Sequence, residues 1–533
     1  MPKDFKRKKK RKFTGNRYGA KPAKKACVDN ANDTHSEAST SSDAFHTSAS
    51  ARKIDGHNIL DGSKEKTVNV LGYRFIDMEL LFAFVTEMCC KQCGDSTLVL
   101  EDNKHERKGC VSHLRVRCQS CGWVYTFYTS KKQEYAFDAN KRFVYAMRSL
   151  GKGHTAAKRF CALMNMLPPP QPTAYRACNI AIAKAAKTVA VKTMNDAANE
   201  LRNDQSRDIN QCAVSCDGTW QRRGHSSLNG CVTTLSMENV KCLDVEVLSK
   251  VCHGCQRVER EVDVGKKAAK KAEHVGKCKV NHIGSSASMK TEGVKRIFER
   301  SEKDRKLQYT EYFGDGDNKA YSEVENVYDG IHVEKKECVG HVQKRVGTAL
   351  RKLKKEHKGI GGKGKLKDAM IDKLQNYYSI AIRSNSADLE AMKSAIYASL
   401  FHCASSKRRN LYHHCPDGPE SWCRFKQDKA NQTNNYIPGP GLPDDIIGLV
   451  KPIFLRLSSN ELLSKCLDGK TQNQNESING MICNRIPKNV FVGFDVLELG
   501  VYDAVAHFKE GLKAEPYYFL GVQCYMPYIT KML

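Results

Sequence analysis

The chain has 533 residues, with 87 Lys and Arg against 59 Asp and Glu and a formal net charge of +28 at pH 7. The length allows two or three domains with real cores, and the charge points to a polyanionic partner rather than to solubility alone. No apolar stretch follows the charged start, and runs such as Leu80 to Val85 are too short to span a bilayer; neither a secretory signal nor a membrane-spanning helix is expected, and the 23 cysteines read as metal ligands or buried thiols rather than disulfides.

Residues 1–65 read as a disordered basic tail, because Lys-rich and then Ser/Thr/Ala/Asp-rich sequence offers no apolar period. Its run Lys6 to Lys12 suits nuclear import, a phosphate-binding arm, or simply a solvated charge cluster. Residues 66–132 form a compact strand-rich module. Cys90-x2-Cys93 and Cys118-x2-Cys121 flank two strand-like runs, Ser96 to Leu100 and His113 to Arg117. Four thiolates on two such knuckles make a closed tetrahedral Zn2+ site, a structural zinc ribbon. Residues 133–207 read as helical. Phe143, Met147 and Leu150 precede Gly151-Lys152-Gly153, Phe160, Leu163 and Met164 follow, and a long Ala-rich helix runs from Ala174 to Leu201. This is a candidate helix-turn-helix DNA reader, with ordinary helical packing as the competing reading.

The run Cys212 to Cys216 then reads as a strand closed by Asp217-Gly218-Thr219-Trp220, followed by strand-like runs from Asn229 to Leu235 and Val240 to Leu248. Asp and Gly are poor strand formers, so Asp217 is expected where the first strand stops. Cys252-x2-Cys255 and Cys278-x3-His282 follow with Cys3His zinc spacing, His274 being a substitute ligand, around a basic stretch with Lys266, Lys267, Lys270 and Lys271. Tyr309 to Phe313 reads as another strand, ending in Gly314-Asp315-Gly316-Asp317. Cys338-x2-His341 opens an amphipathic helix with Val342, Val346, Leu350 and Leu353 on one face and Lys344, Arg345, Arg351, Lys352 and Lys355 on the other, a face suited to a phosphate backbone or to water. Farther on, Cys403, His414, Cys415 and Cys423 form a candidate third zinc site of irregular spacing.

Gln474-Asn475-Glu476-Ser477 opens a short helical segment, so Glu476 is expected to project from a helix toward the sheet. Asp217, Asp315 and Glu476, with Asp317 as the alternative second acid, can together bridge two Mg2+ ions; one ion activates water or a 3′-hydroxyl and the other stabilises the leaving oxygen. Each acid alone is an ordinary turn or helix-start residue.

Asp217 to His225, Ser226 to Gly230, Leu243 to Lys250, Gly314 to Asp317, Cys338-x2-His341, Ser421-Trp422-Cys423 and Asn475-Glu476-Ser477 together closely resemble the Mutator-like (MULE-type) transposases of animal genomes, in order and spacing from about residue 68 to 510. The resemblance implies a ribonuclease-H-like domain whose DDE triad maps onto Asp217, Asp315 (or Asp317) and Glu476. It also implies a helical insertion before the Glu, matching residues 364–468. The family leads one to expect a longer helical tail than the aromatic-rich stretch after Gly511.

The resulting fold class is α/β. A ribonuclease-H-like mixed sheet, with helical and zinc-binding insertions, is preceded by a zinc ribbon and a helical DNA-binding region. The core occupies 208–363 and 469–511, the zinc insertion 252–282, the helical insertion 364–468 and a C-terminal tail 512–533. The expected function is Mg2+- or Mn2+-dependent cleavage of element ends and strand transfer into double-stranded DNA, in the nucleus, by a homo-oligomer with structural Zn2+. The alternatives are a domesticated, catalytically silent DNA-binding protein and a nuclease acting on RNA–DNA hybrids.

Overall fold

The computed structural model describes residues 72–133, 136–202, 209–222, 226–314 and 318–508. The expected tails 1–65 and 512–533, and both Asp315 and Asp317, lie outside the described residues. The chain divides into two units, Met1–Ile76 and Asp77–Leu533, and every element below belongs to the second.

Helix α1 (Met78–Thr86) starts where the Asp77 side chain accepts from the Glu79 amide, a standard N-cap. It packs on an antiparallel sheet of β1 (Leu98–Asp102), β2 (His113–Cys118) and β3 (Val124–Tyr128). Val85, Cys90, Leu98, Leu100, Leu114 and Cys118 form its small core. Six buried residues are few for an independent module, so a metal clip would add stability that apolar burial does not supply.

A two-residue ladder of β4 (Lys132–Gln133) and β5 (Ala136–Phe137) leads to helices α2 (Asp138–Ser149), α3 (His154–Leu163) and α4 (Pro172–Leu201). Pro172 sits at the start of α4, where a missing N–H costs nothing. The α4 face made of Ala183, Ala186, Ala190, Ala197 and Ala198 is buried. Ala183, Ala186 and Ala190 let α4 pack closely along the last described helix, α16 (Phe494–His507). The helical segment therefore has no separate core: Val144, Tyr145, Met147 and Ala157 share one with the main sheet and α16. The long helix of the expected DNA reader is a core helix.

The main sheet contains β6 (Asn210–Trp220), β7 (Asn229–Ser236), β8 (Cys242–Ser249), β9 (Leu307–Gly314) and β10 (Glu334–Glu337) in the order β10-β9-β6-β7-β8. The first three strands are an antiparallel meander, whereas β9 and β10 run parallel to β6. Between β8 and β9 lie α5 (His253–Glu259), α6 (Val264–His274) and α7 (Ser288–Arg305). Helix α7 covers one sheet face through Val294, Ile297 and Phe298, while α4 and the C-terminal helices cover the other. Strands β7 and β8 are buried along almost their whole length although they carry Thr233, Thr234 and Asp244. Gly293 permits the approach of α7, since a Cβ there would lie 2.5 Å from a Val232 methyl.

After β9 come α8 (Asn318–Ser322), β10 and α9 (Val339–Glu356). Helices α9, α10 (Asp368–Ser384), α11 (Leu389–Ala404) and α13 (Asp444–Leu457) enclose a second core around Val346, Leu374, Tyr378, Ile396 and Phe454. The seven-residue α12 (Arg424–Ala430) precedes α13, and the short α14 (Asn460–Ser464) follows it. The chain then returns to the sheet through α15 (Asn473–Arg485) and α16 (Phe494–His507).

Candidate active site and metal centres

Asp217 does not end its strand. Strand β6 continues to Trp220, with Asp217 paired to Thr233 of β7. Antiparallel pairing overrides the weak strand propensity of Asp-Gly. The parallel ladder between β6 and β9, however, stops at Ser215 and Phe313. Asp217 thus stands just beyond the point where β6 and β9 part, and Asp315 follows the last residue of β9 in sequence.

The Asp217 carboxylate is oriented by three groups. Its Oδ1 accepts from the Gly218 amide at 2.8 Å and lies 3.6 Å from the Lys290 ammonium, which is buried on α7. Its Oδ2 accepts from Asn479 Nδ2 at 2.8 Å. Asn479 is one helical turn after Glu476 on α15, so the two project from the same side of that helix. Glu476 itself is largely exposed and pairs with Lys344 of α9 at 3.1 Å. The same helix carries Asn475, whose Nδ2 donates to the Ser215 carbonyl at 3.2 Å. The helix that carries Glu476 is thus docked beside Asp217 through Asn475 and Asn479, while the Glu476 carboxylate itself contacts Lys344. Asn479, Asn475 and Lys290 escaped sequence reasoning, although the i, i+4 pair of Asn475 and Asn479 around Glu476 was a usable signal.

The basic face of α9 is largely exposed, and several of its charges are ion-paired. Arg345 pairs with Glu337, Arg351 with Asp372, Lys354 with Asp368 and Lys352 with Glu356. Apart from the first, whose Glu337 is buried, these surface pairs contribute only about 0–1 kcal/mol each. Cys338, the buried N-cap residue of α9, accepts from the Gln472 amide at 3.2 Å. Burial raises its thiol, but hydrogen bonds from His341 and from the Gln472 backbone outweigh burial and hold the pKa below its ordinary value.

Among the described residues, three Cys/His clusters are suited to a metal ion, the ligand atoms of each lying within 4.8 Å of one another. The first joins Cys90, Cys93, Cys118 and Cys121, as the spacing predicts. Cys90 to Cys121 is 3.7 Å and Cys93 to Cys118 is 3.6 Å between sulfurs. A tetrahedron with metal–sulfur bonds of about 2.3 Å has edges of about 3.8 Å, so the donor set fits. Gly94 and Gly122, each just after a Cys-x2-Cys pair, take φ of 80° and 74°, the left-handed turn that closes each knuckle.

The second cluster joins Cys252, Cys255 and Cys278 with His274, not with His282. His274 Nε2 lies 3.4 Å from Cys252 Sγ and 3.3 Å from Cys255 Sγ. Helix α6 folds back on α5 and carries His274, at its C-terminus, over the Cys252–Cys255 turn; a Cβ on Gly254 would lie 2.1 Å from that ring. His282 is buried elsewhere, with Nε2 at 3.0 Å from Ser288 Oγ and 3.2 Å from the Ser285 carbonyl.

The third cluster is His402, Cys415 and Cys423, which replaces the expected set containing Cys403 and His414. Neighbouring residues of a helix point about 100° apart. Cys403 therefore faces the helical core while His402 faces the loop, its Nδ1 at 3.6 Å from Cys415 Sγ. His414 stacks on Phe401. The Cys423 thiol is held down to about 4, first by the Cys415 thiol and, against burial, by His402.

No helix among the described residues is long and apolar enough to cross a membrane. A family model described as Mutator-like transposase matches residues 72–423. The matched span contains Asp217, Asp315, Cys338 and all three metal clusters, and ends before Glu476. Among curated proteins, nothing matches the chain.

Proposed function

The chain belongs to the Mutator-like transposase family, and from that premise we propose that it is a DNA transposase of DDE type, built on a ribonuclease-H-like core. The sheet order, an antiparallel meander with two parallel strands added beside its first strand, supports that core. The observation that carries the catalytic reading is the Asn479–Asp217 hydrogen bond, which joins the helix of Glu476 to the strand of Asp217. On this reading Asp217, Asp315 (or Asp317) and Glu476 hold two Mg2+ or Mn2+ ions. The ions supply a Lewis acid for the scissile phosphate and lower the pKa of the attacking water or 3′-hydroxyl.

The chain's own residues supply placement. Asn479 and the Gly218 amide fix the two oxygens of Asp217, and Lys290 balances its charge before metal binds. Lys344 pairs with Glu476 at the surface. The first two Cys/His clusters hold structural Zn2+, giving a zinc ribbon before the helices and a stapled insertion after β8. Basic surface holds the duplex backbone, the protein acts as a homo-oligomer on DNA, and Lys6 to Lys12 direct it to the nucleus.

The test is Mg2+-dependent nicking of a supercoiled plasmid carrying the genomic DNA that flanks the coding sequence. Nicking by the wild-type chain, its loss in Asp217→Ala and Glu476→Ala, and transfer of the exposed 3′ end to a second duplex are expected. Tight binding without cleavage would replace this reading by a domesticated DNA-binding protein. Cleavage confined to RNA–DNA hybrids would replace it by a nuclease.

A further inference from the structure

The helical bundle is inserted between β10 and α15, so the helix bearing Glu476 must be returned to the sheet after a long excursion. The two ends of that excursion meet. The Gln472 amide donates to Cys338 Sγ at 3.2 Å across 134 positions, the Val339 amide to the Lys470 carbonyl at 3.2 Å, and the Glu337 amide to the Lys465 carbonyl at 2.8 Å. Gln472 is also the N-cap residue of α15, its carbonyl accepting from the Glu476 amide at 3.2 Å.

The Gln472 side chain is buried, with only 3% of its surface exposed, and reaches both strands at their parting point. Its Nε2 lies 2.8 Å from the Phe313 carbonyl of β9, 2.9 Å from Ser215 Oγ of β6 and 3.4 Å from the Cys216 carbonyl. Two carbonyl acceptors require the NH2 group on that side, which settles the orientation of the amide. Cys216 immediately precedes Asp217, and Phe313 stands two positions before Asp315.

We propose that Gln472, held by Cys338, is a positioning residue: one buried amide sets the helix of Glu476 in register with the strand that carries Asp217 and with the strand that Asp315 follows in sequence. The inference rests on the two-metal reading above for its catalytic consequence, but the clasp itself does not. A misplacement of about 1 Å between metal ligands costs about 100-fold in rate, so the clasp makes the geometry of the site independent of motion in the inserted bundle.

The full-length chain is compared with Gln472→Met, which keeps the side-chain length and removes both donors, with Gln472→Glu, which sets a carboxylate against two carbonyls, and with Cys338→Ser and Cys338→Val. Three readouts are taken: nicking of the plasmid above at saturating DNA, duplex affinity by fluorescence anisotropy, and hydrogen–deuterium exchange along α15. Gln472→Met is expected to lose about 100-fold in nicking rate with duplex affinity within about twofold of wild type. Its Mg2+ half-saturation rises, and exchange increases at the start of α15 while β7 and β8 keep their protection. Cys338→Ser, which retains an acceptor, stays near wild type, and Cys338→Val follows Gln472→Met. Wild-type nicking and exchange in Gln472→Met would overturn the proposal, as would exchange that rises equally across the sheet. If the wild-type chain does not nick DNA, the two-metal reading fails and the exchange of α15 alone decides the clasp.

Discussion

Asn479 Nδ2 meets Asp217 Oδ2 at 2.8 Å, and through that contact a helix that follows the whole inserted bundle is joined to the central strand of the sheet. A hydrogen bond to a charged group contributes about 1.5–3 kcal/mol. Asn479→Ala is therefore expected to lower Mg2+-dependent nicking about 10- to 100-fold with little change in duplex affinity. Asn479→Asp, which faces a carboxylate with a carboxylate, should lose more. Single-turnover rates at saturating Mg2+ and DNA check both.

On the two-metal reading, Lys290 would compete with metal for Asp217. Its ammonium is 3.6 Å from Oδ1, and its side chain is only 7% exposed while that of Asp217 is 26% exposed. In Lys290→Met the metal-free protein should melt at a lower temperature, because the carboxylate loses its counter-charge. Mg2+ should then bind a few-fold more tightly, corresponding to a coupling of about 1 kcal/mol. Thermal melts with and without Mg2+ measure both signs.

The second cluster takes His274, the substitute ligand, in place of His282, which the spacing favours. His274→Ala should remove one equivalent of zinc from the purified chain, measured by elemental analysis, whereas His282→Ala should retain it. Gly254→Ala should also weaken metal retention, because its methyl would occupy the place of the His274 ring. Loss of zinc in His282→Ala alone would contradict the cluster.

At the third cluster, His402→Ala and Cys423→Ser should release bound metal and expose residues 405–443 to limited proteolysis. That stretch contains one seven-residue α-helix and owes its order to a small cluster of Tyr412, Cys415 and Cys423. His414→Ala should change neither readout.

Gly293→Val tests the packing of α7 on the sheet. A Cβ would sit 2.5 Å from Val232, and overpacking of this kind costs about 1–3 kcal/mol. The melting temperature should fall while the zinc content stays constant.

Much of the architecture was legible because its signals are local. The Cys90/Cys93 and Cys118/Cys121 pairs announce two knuckles by spacing alone, and the helices around Leu150 and from Ala174 are bounded by Gly and Pro. The end of β6 was not legible, because whether Asp-Gly turns or continues depends on the partner strand and not on the residues themselves. Of the two readings of the helical segment, ordinary packing describes the Ala-rich helix, whose small-residue face lies against α16.

By itself the sequence determined which residue types could carry chemistry, since acids, thiols and imidazoles are named in the chain, and their order matched a family. Only the tertiary structure decided which of them meet. His274 reaches the thiolates because α6 folds back on α5, His402 because its helix neighbour Cys403 is turned to the core, and Gln472 because the inserted bundle leaves and returns at one point. Spacing along a chain limits how far two groups can be apart; the direction in which each side chain points is set by packing at a distance in sequence, and that direction makes a ligand or a clasp.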